Sequence, residues 1–327
     1  MKYIEFDNQL KASYSFALEE YIMTNPRFTE EYFIFWRTLP TLMIGRFQNT
    51  IEEINTNFVE KNNIKVVRRN SGGGTIYTDE NCWQFSFITW KEKSKIKNFR
   101  YFTKPIIDAL KELGINTTFS GRNDLILNDK KISGNAQFSS GNRFLHHGTI
   151  LFDTNIDNMI KSLLVSDEKM ISKSIKSVKE RVTNVKQSLY NSNISSEEFK
   201  EKIISIIGRE MKTISIDDED LMKIKKIENE KFLTWKWNYG TSPAFNIIKT
   251  TQTAGGKFVI NLDVKNGMIV NCKLNGDFIF SGDIIDFELD FIGCKYEKNA
   301  IYEKFINSNY FGSFYLVSET DIVNCFI

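Results

Sequence analysis

Val-Arg-Arg-Asn-Ser-Gly-Gly-Gly-Thr-Ile-Tyr, residues 67–77, sets three consecutive glycines between a basic pair and a β-branched pair. The apolar run Ile64-Lys-Val-Val leads into it. Packing gives no reason for three glycines together, because each adds backbone entropy that folding must remove. A chain without Cβ atoms can instead bring several N–H groups onto one anion or lie flat against a ligand. Arg68 and Arg69 stand beside the run, and each can meet a carboxylate or phosphate with a planar two-pronged donor. Strand alternation puts the two on opposite sides. Taken alone, the stretch also fits a glycine-rich hairpin turn.

The rest of the chain limits what that loop serves. The 327 residues suit one large domain or two, with 41% apolar residues and 27 phenylalanines for a core. Lys and Arg total 43 against 41 Asp and Glu, so there is no electrostatic footprint for a nucleic-acid partner. No apolar run approaches the roughly 20 residues of a membrane span, and the N-terminus lacks the apolar core of a signal peptide. Four cysteines (82, 272, 294 and 325) show no Cys-x-x-Cys spacing, hence neither a zinc site nor a disulfide framework. The reading is a reduced, cytoplasmic protein.

Periodicity places a helix over 9–23 with a polar opposite face, and another over 102–113 stopped by Gly114. Phe33-Ile-Phe-Trp, Leu42-Met-Ile, Lys65-Val-Val and Phe85-Ser-Phe-Ile read as strands. Leu125-Ile-Leu and Lys131-Ile-Ser form a hairpin about Asn128-Asp129. Residues 157–190 are polar, a candidate mobile segment over a site, and a helix follows at 197–208. Short alternating strands at 257–264, 267–274 and 277–280, parted by Asn-Gly turns, mark a small α+β domain over 247–327.

Several further blocks stand in a fixed order around the glycine loop: Gly45-Arg-Phe-Gln-Asn-Thr, then Arg122-Asn-Asp-Leu, Lys131-Ile-Ser-Gly-Asn-Ala-Gln and His146-His-Gly-Thr. Ser177-Val-Lys-Glu-Arg-Val-Thr-Asn and Trp235-Lys-Trp-Asn-Tyr-Gly-Thr-Ser-Pro-Ala-Phe follow. This ordered set resembles the lipoate-protein ligase A family, strongly over about residues 1–250. The resemblance implies an α/β (α+β) fold of the biotin/lipoate ligase type: a mixed β-sheet catalytic domain flanked by helices over 1–246, with the C-terminal accessory domain over 247–327.

It also implies a two-step reaction. Lipoate and ATP give lipoyl-AMP and pyrophosphate, with Mg²⁺; the acyl group then passes to a lysine of a lipoyl carrier domain, the E2 subunit of a 2-oxoacid dehydrogenase or the glycine cleavage H protein. The expected enzyme is a monomer. Fixed cations and N–H dipoles should lower the barrier where carboxylate and α-phosphate charge gathers. The resemblance puts the essential cation at Lys131, which otherwise reads as a solvated hairpin lysine. It assigns the adenylate to Arg69, Gly73, Gly74, Thr75, Ile76, Tyr77, Asn123, Asp124 and Lys131. It assigns lipoate to Ser71, Gly72, Gly73, Lys131, His147, Gly148 and Thr149. Asn123 and Asp124 either orient Lys131 or bind Mg²⁺, Asp124 reading equally as a plain structural ion pair, and His147 either packs against the acyl chain or is a satisfied core residue. A mixed anhydride needs shelter from water, and Ser177–Asn184 is the candidate lid.

The family usually carries His-Asp-x-Gly-Asn after the loop, where this chain has Thr78-Asp79-Glu80-Asn81-Cys82. That departure leaves room for a paralogue specialised for one carrier, or for a silent lipoyl-binding module. A third alternative is an ATP-independent octanoyl or lipoyl transferase using a Cys82 thioester, against which Cys82 reads as a small buried residue.

Overall fold

The computed structural model describes residues 1–7, 10–121, 123–163, 180–281, 283–310 and 312–327. The chain forms two compact units, one of Met1–Gln48 with Glu52–Thr234, the other of Asn49–Ile51 with Trp235–Ile327.

The strands of the first unit are β1 (Lys2–Glu5), β2 (Tyr32–Arg37), β3 (Thr41–Ile44), β4 (Lys65–Arg68), β5 (Ile76–Thr78), β6 (Cys82–Trp90), β7 (Thr118–Ser120), β8 (Asp124–Leu127), β9 (Lys130–Ser140), β10 (Arg143–Leu151) and β11 (Lys212–Ser215). Eight of them make one mixed sheet in the order β11-β1-β2-β6-β10-β9-β8-β7, and β4-β3-β5 make a second, small sheet. In the large sheet β1 pairs parallel with β11 and β2, and the remaining neighbours are antiparallel. β10 is buried along its whole length and β6 along all but Trp90, so both faces of the centre are covered. One face packs Phe33, Phe35, Phe85 and Phe87 against Phe102, Ile106 and Leu110 of α2 (Phe99–Glu112) and Phe199 and Ile203 of α3 (Ser196–Ile207). Each such side chain contributes about 1.5–3 kcal/mol by leaving water.

The opposite face carries α1 (Ala12–Thr24), which contacts β6 and β10. The polar outer face expected of this helix is absent: Ser13, Ser15 and Glu19 are buried along with its apolar residues. The hairpin at Asn128-Asp129 forms as its sequence predicts, with both residues at positive φ (49° and 61°), the backbone that a tight two-residue turn demands.

In the second unit β12 (Phe245–Thr253), β13 (Gly256–Lys265) and β14 (Met268–Gly276) form an antiparallel sheet. The residue-247 pattern change falls inside β12. Phe258, Ile260, Leu262 and Val264, alternate residues of β13, pack into a core with Phe287, Ile301, Phe305 and Phe326 from three helices. Residues 277–280 are not the strand expected of them; only Phe280 makes a bridge, to Phe314. Apolar alternation over four residues has no ladder partner there.

No helix of the described residues is long and apolar enough to cross a membrane.

Candidate functional site

The small sheet exists to hold two turns against each other. After β3 the chain turns through Gly45–Gln48, and after β4 it enters the glycine loop. Arg68 is fully buried and its Nη1 donates to the carbonyls of Gly45 (2.9 Å), Arg46 (3.1 Å) and Gln48 (2.7 Å). Arg69 faces the other way, as alternation requires. Its Nη1 donates to the Met43 carbonyl (2.8 Å), its Nε to Ser71 Oγ (3.1 Å), and its Nη2 to the carbonyls of Gly72 (2.9 Å) and Gly74 (2.8 Å). Burial lowers both guanidinium pKa values to about 10, so both remain charged at neutral pH. The phosphate grip expected of Arg69 is therefore not what holds it in place: its donors are engaged by the loop's own carbonyls.

The N–H groups of Ser71, Gly72, Gly73 and Gly74 make no hydrogen bond to another described group. Gly73 adopts φ +96°, a backbone that side chains rarely tolerate. A Cβ on Gly45 would overlap the Gly73 carbonyl oxygen, so the two turns touch backbone to backbone. Gln48 Oε1 closes the arrangement by accepting from the Gly45 N–H and from Thr75 Oγ1, both at 2.9 Å.

Beside the loop lies a pocket of about 150 Å³. Arg69, Gly73, Gly74, Thr75, Ile76, Asn123, Lys131, His147, Gly148 and Thr149 all line it, so the structure brings together most of the residues singled out in the sequence. Ser71, Gly72, Tyr77 and Asp124 fall outside its lining. Tyr77 turns inward on the other side of β5 and is buried. Sequence reasoning missed Phe16 of α1, Trp36 of β2 and Met43 of β3, which form an apolar wall, and Gln84 and Asn135, which add polar groups. Gln84 had a visible signal: it is an amide in the otherwise apolar run Cys82-Trp-Gln-Phe.

Lys131 Nζ pairs with Asp124 Oδ1 at 2.8 Å, and the lysine side chain is 42% exposed. The pocket thus runs from a half-exposed cation to buried aromatic rings. Asn123 and Asn135 exchange hydrogen bonds, Asn123 Nδ2 donating to the Asn135 carbonyl (2.6 Å) and Asn135 Nδ2 to the Asn123 carbonyl (3.0 Å). They tie β9 to the turn before β8 next to Lys131. Asn135 Oδ1 then accepts from His146 Nε2 at 3.2 Å, and His146 Nδ1 accepts from Gln137 Nε2 at 3.1 Å. Full burial holds His146 well below the usual imidazole range, so it is neutral and structural. Gly148 has no room for a Cβ, which would overlap Asn135 Oδ1.

His147 points to the α1 face. Its Nε2 meets Ser71 Oγ at 2.6 Å and its Nδ1 meets Glu19 Oε1 at 3.2 Å. Glu19 is 2% exposed and also accepts from Ser86 Oγ. The order hydroxyl, imidazole, carboxylate is that of a hydrolase triad. Ser71, however, is 1% exposed and lies outside the pocket lining, so here the relay fixes the loop.

Of the expected lid, Ser177–Lys179 lie outside the described residues. Val182 bridges to Lys131, and the Thr183 N–H donates to the Lys131 carbonyl at 3.0 Å. The Cys82 nucleophile meets a physical obstacle. Its thiol is 0% exposed, is absent from the pocket lining and is pushed far up by burial, which leaves no thiolate at neutral pH. Thr78 is buried too, bonded to Thr38 Oγ1 at 2.7 Å. Among the described residues no group of three metal-ligating side chains occurs.

Residues 11–208 match the Lipoyl protein ligase A/B catalytic domain, and residues 242–326 match the Bacterial lipoate protein ligase C-terminus. The chain is 40% identical over 305 residues to Lipoate--protein ligase 1 of Staphylococcus aureus (strain Mu50), covering 93% of each chain. It is 38% identical over 321 residues to Lipoate-protein ligase LplJ of Bacillus subtilis (strain 168), covering 96% of this chain and 97% of that one. A solved bi-partite lipoate protein ligase from Thermoplasma acidophilum, described with its E2 lipoyl domain, superposes with a TM-score of 0.66 at 26% identity over 73% of this chain and 96% of that one. The chain belongs to the lipoate-protein ligase family.

Proposed function

We propose that the chain is an ATP-dependent lipoate-protein ligase that forms lipoyl-AMP and passes the lipoyl group to a lysine of a carrier domain. The observation that carries this is Lys131 lining the same pocket as a glycine loop whose N–H groups make no hydrogen bond to another described group. A cavity near 150 Å³ is of the size that takes a small apolar ring. That suits the dithiolane and chain of lipoate between Phe16, Trp36 and Met43, and it leaves the nucleotide to the open side of the glycine loop.

Attack of a carboxylate on an α-phosphate brings two anions together. Lys131 touches both as a compact cation, while the loop N–H groups of Gly73 and Gly74 receive phosphate oxygens without reorganising. Asp124 beside Lys131, itself one-third exposed, fits the single carboxylate that Mg²⁺ commonly takes alongside phosphates; the ion would neutralise phosphate charge there. In the second step the incoming carrier lysine must lose its proton from a pKa near ~10.4, and the Lys131 charge disfavours its protonated form.

The proposed partner is an E2 lipoyl domain or an H protein, met by a monomer. The test is lipoate-dependent exchange of pyrophosphate into ATP, followed by intact mass of an apo lipoyl domain. Absence of exchange with either lipoate or octanoate would remove the ligase reading; acyl transfer without ATP would replace it with the transferase.

A further inference from the structure

Two successive glutamates of α1 brace two successive residues of the glycine loop. Glu19 reaches Ser71 through His147, as described above. Glu20 Oε2 accepts directly from Asn70 Nδ2 at 2.9 Å. The same carboxylate oxygen accepts from Lys231 Nζ, and Lys231 Nζ donates to Asn70 Oδ1 at 2.9 Å. Amide, carboxylate and ammonium thus close a ring in which Asn70 uses both ends of its side chain. Asn70 lies between Arg69 and Ser71, both committed to the shape of the loop, and is only 8% exposed.

Lys231 belongs to a π-turn, Glu228–Phe232, that follows α4 (Asp218–Ile227). Such turns carry one residue more than an α-turn and concentrate at functional places. This one is fixed to α1 again at Glu228, fully buried, which accepts from Ser13 Oγ at 2.7 Å. Phe232 packs against Phe16 of the pocket wall with ring centres 5.9 Å apart.

We propose that Lys231 is a positioning residue for the ligand-binding loop, acting through Glu20 and Asn70. A lone exposed ion pair would do little. The difference here is that the third member is a nearly buried amide whose backbone is part of the loop, so losing the ammonium loosens Asn70 and the turn it enters. The functional half of the proposal rests on the ligase reading above; the structural half does not.

The test compares Lys231→Met, which keeps the stem, with Lys231→Arg, which keeps the charge. Amide exchange is read without ligand at Arg46, whose N–H donates to the Ser71 carbonyl at 2.9 Å and so reports opening of the loop. Ile88 in the centre of the large sheet serves as the reference. In Lys231→Met, Arg46 should exchange about tenfold faster relative to Ile88. The KM for lipoate should rise by a similar factor, with kcat within about threefold because Lys131 is untouched. Lys231→Arg should restore both. Unchanged Arg46 exchange in Lys231→Met, or an equal acceleration at Ile88, overturns the proposal. Faster Arg46 exchange in a protein that never activates lipoate would sink the ligase reading and keep this one.

Discussion

Gly45→Ala tests whether the contact between the two turns matters, and it does so from outside the glycine run. A Cβ built on Gly45 stands 3.0 Å from the Gly73 carbonyl carbon, overlaps its oxygen and comes within 3.0 Å of Gln48 Oε1. Carbon atoms in ordinary contact are about 3.5–4.0 Å apart, so the loop must retreat by on the order of 1 Å. Gln48 can swing aside. Gly73 cannot do so freely, because Arg69 holds the carbonyls of Gly72 and Gly74 on either side of it. Overpacking of this kind costs about 1–3 kcal/mol, which lowers Tm by roughly 2–12 °C in a unit of this size. A misplacement near 1 Å costs about 10²-fold in rate where geometry sets the reaction. Lipoate-dependent pyrophosphate exchange should therefore fall about 100-fold in kcat/KM while the far-UV spectrum at 25 °C is unchanged. Activity within about threefold of the parent protein would show that the loop either gives way without consequence or takes no part in activation.

Three other perturbations bear on the same site. Lys131→Met should reduce lipoyl-AMP formation by at least about 10²-fold with a small change in Tm, since its pair with Asp124 is partly exposed on both sides; substantial adenylate detected by chromatography would take Lys131 out of the reaction. Cys82→Ser should keep activity within a few-fold, and intact mass after incubation with an acylated carrier should show no adduct on the parent protein; an adduct on Cys82 together with an inactive serine variant would establish the transferase. His146 carries a pH signature: burial depresses its folded pKa, so the unfolded chain takes up a proton that the folded chain refuses as pH drops below about 6.5. Stability should fall with falling pH in that window by up to about 1.4 kcal/mol per unit from this residue, and His146→Phe should flatten that part of the Tm profile; an identical slope in both proteins would mean that His146 already titrates when folded.

The sequence made the rim of the pocket legible and left its wall obscure, for a physical reason. Three glycines, an Asn-Asp turn and a lysine after a hairpin are unusual residue choices, and each implies a backbone or charge that packing alone does not demand. Phe16, Trp36 and Met43 are ordinary inward-facing residues of a helix and two strands. Periodicity says that such side chains face inward; it cannot say whether protein or ligand meets them. Glu19 offered a signal, being a carboxylate on a helix whose neighbours are nearly all apolar or small. Its meaning depended on His147 and Ser71, which are distant in sequence and brought together only by the order of β6, β10 and α1. β12 escaped for the opposite reason: Lys249, Thr250, Thr251 and Gln252 give it too few apolar alternations to announce a strand.

The basic residues divide the work according to their chemistry. Arg68 and Arg69 each present several donors in a rigid plane, and the structure spends those donors on backbone carbonyls: three for Arg68, three more for Arg69 with Ser71 Oγ besides. Arg68 holds the carbonyls of the Gly45–Gln48 turn and Arg69 those of Gly72 and Gly74, so two buried charges shape the site through the backbone. A guanidinium gripping phosphate directly would have to reorganise when the phosphate leaves; one bound to the backbone does not. Lys131 follows the opposite logic. Its ammonium is compact and half-exposed, and its stem is flexible, so in the proposed reaction it would track charge moving from carboxylate to adenylate. Arg69→Lys illustrates the distinction, because it keeps the charge and loses the fork. If the charge alone served the site, that variant would retain activity; with the loop's carbonyls dependent on Arg69, it should lose most of it and release the Gly72 and Gly74 carbonyls and the Ser71 hydroxyl, seen as faster exchange at Arg46.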